Sequence, residues 1–172
     1  MHTRRTRRLT LVAGSTLALG LALTGCSQLS DLLGGTTDAN RDDSGQVTDE
    51  AKIDIFSLKV GDCMAPTPDS GGIGDADVIP CGEPHAEEVF FEFNMPDGDF
   101  PGTDVIMAEV EARCVPEFAN FVGMAWGESS LDLYPITPTE DTWDSLGDRT
   151  VQCVIMDPAT ELTVGTLAGA AR

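Results

Sequence analysis

The residues best suited to chemistry in this sequence are its cysteines and one cluster around a histidine. After position 2, His85 is the only histidine, and it lies in Cys81–Glu88 among three glutamates. An imidazole beside carboxylates can bind a transition metal or transfer protons near neutral pH, so His85, Glu83 and Glu88 are candidate ligand-binding residues. The structural alternative is that His85 hydrogen-bonds a backbone carbonyl and fixes a loop. We favour that alternative, and we expect neither a metal nor a cofactor.

Trp143 is a further candidate binding residue, although an aromatic side chain that covers a small core is the commoner case. Nucleophilic catalysis has little support in the sequence. The thiols are expected in disulfides, and no serine occurs in a G-x-S-x-G or S-x-x-K pattern. We therefore expect no catalytic site and a protein that is not an enzyme.

The N-terminus has the three parts of a bacterial signal peptide. Four arginines between positions 4 and 8 precede the uncharged stretch Leu9–Leu23, which is shorter than the about 20 residues that a membrane span needs. The quartet Leu23–Cys26 then resembles the lipobox of bacterial lipoproteins, in which the cysteine is lipidated. We expect residues 1–25 to be a signal peptide and Cys26 to anchor the chain to the extracytoplasmic face of the cell membrane.

Charge and composition divide the rest of the chain into a tether and one domain. The formal net charge is −19, and removal of the leader would leave six basic and 29 acidic residues, or −23. Such a surface repels nucleic acid and anionic lipid headgroups, so we expect no nucleic-acid partner and membrane contact only through the lipid. The polar, acidic composition of residues 26–52 predicts a disordered tether, and the length of residues 53–168 suits one small domain.

Once Cys26 is assigned to lipid, four cysteines remain, and an oxidising compartment favours two disulfides. Three pairings are conceivable, and we favour Cys63–Cys81 with Cys114–Cys153. A four-cysteine zinc site is disfavoured because no C-x-x-C spacing occurs.

Periodicity supports the second of these pairs. Thr103–Val122 reads as a helix with Cys114 inside its apolar stripe, Thr103 as its cap and Pro116 as the site of a kink. Thr150–Met156 reads as a strand whose alternation turns Cys153 towards the core. A helix cysteine and a strand cysteine that both face inward can be bridged.

The remaining pattern predicts an α+β fold: a small, mostly antiparallel sheet with one main helix packed on it, stapled by two disulfides. The clearest further strand is Glu88–Met95, in which Val89, Phe91 and Phe93 alternate with other residues. Weaker strands are expected at Phe56–Val60, Ala76–Cys81, Leu131–Tyr134 and Leu162–Leu167.

Several short motifs occur in a fixed order along this domain. They are V-G-D-C at Val60–Cys63, C-G-E-P-H at Cys81–His85, then Cys114, Trp143 and G-D-R-x-x-x-C at Gly147–Cys153. Together they resemble the septum formation-related domain of actinobacterial envelope proteins, over roughly residues 57–168. The resemblance implies an extracytoplasmic, often membrane-attached protein with a loose link to cell division, and it supplies no catalytic residues.

Two functions follow as expectations. The first is a non-enzymatic cell-envelope lipoprotein that binds envelope or division proteins and is linked to septum formation. The second is an accessory lipoprotein that binds a metal or another small ligand. A flat, partly apolar surface patch would favour the first function, and a bound metal would favour the second.

Overall fold

The computed structural model describes residues 38–66, 74–160 and 162–172. The expected signal peptide, the expected lipidation site Cys26 and the first part of the expected tether lie outside these residues. No helix among the described residues has both the length and the apolar character to cross a membrane.

Six strands and two helices make up the described chain. The strands are β1 Ala51–Asp54, β2 Cys63–Met64, β3 Asp75–Ile79, β4 Glu87–Asn94, β5 Asp132–Ile136 and β6 Thr150–Met156, and the helices are α1 Thr103–Val122 and α2 Glu140–Leu146. The strands form one sheet in the order β1-β3-β2-β4-β6-β5, and every neighbouring pair is antiparallel. The expected α+β fold with one main helix is confirmed.

Helix α1 has the bounds that its apolar period predicts. Its buried side chains recur at helical spacing and face the sheet: Ile106, Val110, Cys114, Phe118 and Val122. The predicted cap is wrong, because Gly102 takes the N-cap position and no side chain caps the first turn. Pro116 lies inside the continuous helix. The helix ends at Gly123, which adopts a left-handed conformation with φ 82°.

Strand β4 is central, but its side chains do not alternate as predicted. The register with β6 shifts between Val89 and Phe91, which leaves Phe90 as the extra residue of a β-bulge. Phe90 and Phe93 pack in the core beneath α1, whereas Val89 packs in a second core. Phe91 packs against the same core as Phe93, as the alternation predicts. The prediction is wrong for Val89, because the inserted residue reverses the alternation before Phe91.

The second core brings in residues that composition had assigned to the tether. Val47 is only 6% exposed and packs with Ile53 and Val78, while β1 begins at Ala51. Residues 38–52 thus belong to the folded domain, and the domain start expected at residue 53 is placed too late. The partners that hold this segment lie far along the chain, so its local composition does not reveal them.

Two predicted strands are wrong, and one helix is additional. The first is Phe56–Val60. There the Asp54 carboxylate accepts a 2.9 Å hydrogen bond from the Phe56 amide and starts a 3-10 turn at Ile55–Ser57. In the second, Leu162–Leu167, the described residues form only one isolated bridge, between Thr163 and His85. Helix α2 was not predicted, because its seven residues include only one buried side chain, Trp143, and so give no apolar period.

Both predicted disulfides are confirmed. Cys63–Cys81 joins β2 to the residue shortly after β3, with the Cα atoms 5.2 Å apart. Cys114–Cys153 joins α1 to β6, with the Cα atoms 5.9 Å apart. The first bridge lies at the start of β4, where the histidine cluster also lies, since Cys63 pairs with Glu88 in the sheet.

Candidate functional site

His85 is completely buried immediately before β4. Its Nδ1 lies 2.9 Å from the carbonyl oxygen of Glu83, and its Nε2 lies 3.2 Å from the hydroxyl of Thr163. A carbonyl oxygen can only accept, so in the neutral imidazole the proton is on Nδ1 and the lone pair is on Nε2. The backbones of His85 and Thr163 also exchange hydrogen bonds of 2.9 and 2.7 Å, which fixes the ring in place.

Glu88 is the second buried polar residue here, with 3% of its surface exposed. One carboxylate oxygen accepts a 2.6 Å hydrogen bond from the Thr166 hydroxyl, and the other accepts one of 2.7 Å from the Leu167 amide. Within the described residues, no basic side chain forms an ion pair with Glu88. The charge of Glu88 is therefore held by hydrogen bonds from the C-terminal segment alone.

His85 and Glu88 meet the sulfur of Cys63, and we call these three residues the polar cluster. Their ligand atoms all lie within 4.8 Å of one another. The sulfur of Cys63 is bonded to Cys81, so it is not a thiolate in this state. Glu83 stands apart: its side chain is exposed, and only its backbone carbonyl contacts His85.

Trp143 lies in a different part of the domain. It is 2% exposed, its indole N–H donates a 2.8 Å hydrogen bond to the Gly98 carbonyl, and the Arg149 guanidinium lies 3.6 Å from the ring centre. Gly98 follows the C-terminal end of β4, whereas His85 precedes its N-terminal end. An eight-residue strand is about 25 Å long, so Trp143 and the polar cluster do not form one site.

An ion pair between the partly exposed Arg41 and the buried Asp62 holds the loop that leads into Cys63. Asp62 is completely buried and accepts hydrogen bonds of 2.5 and 2.8 Å from Arg41, together with one of 2.9 Å from the Lys59 amide. The hydrogen bond to Asp62 raises the pKa of Arg41 above its ordinary value. Asp62 is the aspartate of the V-G-D-C motif, and this pairing is its structural role.

A cleft of about 800 Å³ lies beside this ion pair. Its walls come from the segment around Arg41, from the loop after β1 and from the end of β4. Phe56 and Val60 are 46% and 47% exposed at this cleft. The buried side-chain amide of Gln152 donates a 3.1 Å hydrogen bond to the Leu58 carbonyl and so fixes the loop that carries Phe56 and Val60.

A second hollow of about 540 Å³ continues this surface. It shares Phe56, Ser57, Asn94 and Thr150 with the first and adds Leu146, which is 65% exposed. We call the two hollows together the paired cleft. Sequence patterns did not reveal it, because Phe56–Val60 was interpreted as a strand. The available signal was Asp54, whose short acidic side chain two residues before Phe56 is typical of a turn.

The Arg41–Asp62 pair gives a direct prediction about stability. Arg41→Ala should lower the free energy of unfolding by about 3 kcal/mol, because it leaves the Asp62 charge buried without its partner. Arg113→Ala is the control, since it removes an exposed ion pair with Glu109 and a cation–π contact with Phe93, which together should cost no more than about 1 kcal/mol. Urea denaturation followed by circular dichroism measures both values, and equal losses would contradict this role of Arg41.

Comparison with known proteins places these features within one family. The family model described as septum formation matches residues 60–172. No curated protein and no solved structure matches the chain significantly. The matched region includes Asp62, the polar cluster, Trp143 and both disulfides, and it covers well over half of the chain. The chain therefore belongs to the septum formation family.

Proposed function

We propose that this protein is a non-enzymatic lipoprotein of the cell envelope whose paired cleft binds a protein partner at the division septum. Membership of the septum formation family supports the link to the septum. The lipobox-like quartet ending at Cys26 supports a lipid anchor on the extracytoplasmic face. The two disulfides support export, because such bridges persist in oxidising compartments.

The observation that carries the proposal is a group of exposed apolar side chains within the otherwise polar paired cleft. Phe56, Val60 and Leu146 are each about half exposed or more, within one continuous concave surface. Exposed apolar groups that are grouped together and rimmed by polar residues are typical of protein interaction sites. The expected net charge of −23 favours a basic partner. The partner best suited to this surface is a basic protein segment that carries apolar side chains.

The burial and bonding of the reactive side chains also favour binding over catalysis. The imidazole of His85 and the carboxylate of Glu88 are buried and hydrogen-bonded within the domain. The four cysteines of the domain are paired in disulfides. These groups stabilise the fold in this state, whereas the paired cleft is open to a partner.

The alternative function, an accessory protein that binds a metal or a small ligand, has one observation in its favour, the polar cluster. With Cys63 in a disulfide, this cluster offers only the Nε2 of His85 and the carboxylate of Glu88 as ligands. Hydrogen bonds from Thr163 and Thr166 already occupy both groups. Two occupied ligands are fewer than the three or four that zinc takes from proteins.

Septal docking can be tested with a pair of matched surface variants in living cells. A fluorescent fusion of the full chain should be enriched at division sites, and Phe56→Asp with Leu146→Asp should abolish that enrichment by charging the paired cleft. Val105→Asp with Met107→Asp is the control, since it adds the same charge to exposed positions on α1. This control should keep the septal enrichment.

Two results would count against the proposal. Uniform distribution of the unaltered fusion would end the septal link. Septal enrichment of the cleft variant, at the level of its control, would show that the docking surface lies elsewhere.

The lipid anchor requires a separate measurement. Cys26→Ser should move the chain from the membrane fraction to the soluble fraction, because it removes the thiol that carries the lipid. The control is Cys81→Ser, which also replaces a cysteine but acts on the Cys63–Cys81 disulfide of the domain, and it should leave the chain in the membrane fraction. Membrane retention of the Cys26→Ser chain would contradict lipid anchoring at this residue.

A further inference from the structure

We propose that reduction of the Cys63–Cys81 disulfide converts the polar cluster into a zinc site. The ligands are the thiolate of Cys63, the Nε2 of His85 and the carboxylate of Glu88. This inference goes beyond the docking function and does not depend on it. The domain would then have two states, one closed by a disulfide and one that holds a metal.

The ligand atoms already lie close to the required positions. They are within 4.8 Å of one another, and the pairing of Cys63 with Glu88 in the sheet fixes their two backbones. Ligand atoms in a tetrahedral zinc site are about 3.5 Å apart, given zinc–ligand distances of about 2.0–2.3 Å. Side-chain movements of about 1 Å therefore suffice to close the site.

The hydrogen bonds of His85 prepare it for a metal. A histidine ligand commonly donates its second ring N–H to a carbonyl or a carboxylate, which orients the ring. Here Nδ1 donates to the Glu83 carbonyl at 2.9 Å. The lone pair is then on Nε2, where it accepts a hydrogen bond from the Thr163 hydroxyl at 3.2 Å. Metal binding would replace that single hydrogen bond.

The charge of the cluster points to a divalent cation. Glu88 is a buried carboxylate that forms no ion pair within the part of the chain that the structure describes. A buried charge is costly unless an opposite charge or a metal compensates it. Zn²⁺ bound to one thiolate, one carboxylate and a neutral imidazole gives a site with no net charge. A water molecule can complete the tetrahedron.

The two disulfides differ in their access to a reductant. Cys81 is partly exposed, whereas Cys63, Cys114 and Cys153 are completely buried. A thiolate of an external dithiol can therefore attack the sulfur of Cys81, which breaks the S–S bond and releases Cys63 as a thiolate. The second thiol of the reductant then displaces Cys81. The reductant becomes a disulfide, the two protein sulfurs gain its two electrons and two protons, and zinc displaces the proton of Cys63 into solvent.

A pair of single variants of the full chain tests the site without any reductant. Cys81→Ser leaves Cys63 as a free thiol, and Cys63→Ser leaves only Cys81, so both lose the same disulfide. Cys81→Ser should bind one zinc per chain at least about 100-fold more tightly than either Cys63→Ser or the oxidised unaltered chain. In the Cys81→Ser background, Glu88→Gln should weaken zinc binding by about 10–100-fold. Competition with a chromophoric zinc chelator measures each affinity.

Equal zinc affinity of the two variants would overturn the proposal, and so would equally tight binding by the oxidised chain. A second measurement uses the unaltered sequence, in case a variant does not fold. Reduction with a phosphine in the presence of Co²⁺ should produce a thiolate-to-cobalt absorption band that the oxidised chain lacks. A reduced chain without that band, whether folded or unfolded, would contradict the proposal.

Discussion

The ion pair between Arg41 and the buried Asp62 connects the two regions of the domain that carry the proposed functions. Asp62 has no exposed surface, and without the guanidinium its charge would destabilise the fold by several kcal/mol. The pair holds the segment around Arg41 against the sheet, where it forms one wall of the paired cleft. On the other side, Asp62 directly precedes Cys63, which carries the disulfide and one member of the polar cluster. The position of Arg41 therefore affects both the docking surface and the buried sulfur.

The domain separates its polar chemistry from its exposed apolar surface. At the N-terminal end of β4, His85 and Glu88 are enclosed by the segment that contains Thr163 and Leu167. At the other end of the same strand, the paired cleft exposes Phe56. An envelope protein that works by binding needs an accessible surface such as the paired cleft. A redox-dependent metal site needs the enclosed surroundings of the polar cluster. The docking surface and the metal site thus lie towards opposite ends of one central strand.

The sequence predicted those elements that carry their own periodic signal. Helix α1 and strand β6 were predicted with the bounds that the structure has, and the Cys114–Cys153 bridge followed from their inward faces. The faces of β4 were not predictable, because the bulge at Phe90 arises from pairing with β6 and leaves no local signal. In the candidate site, His85 and Glu88 were identified from their types. Their partners Thr163 and Thr166 lie 78 residues away, and Arg41 lies 21 residues from Asp62, distances over which local patterns carry no information.

The most direct test of the central claim, docking of a septal partner through the paired cleft, is proximity labelling on the living cell surface. The labelling enzyme is fused to the full chain and to the variant that carries Phe56→Asp with Leu146→Asp. We predict that division proteins are labelled by the unaltered chain and that this labelling falls at least about tenfold with the variant. Labelling of transport components in place of division proteins, or equal labelling by both chains, would contradict the claim.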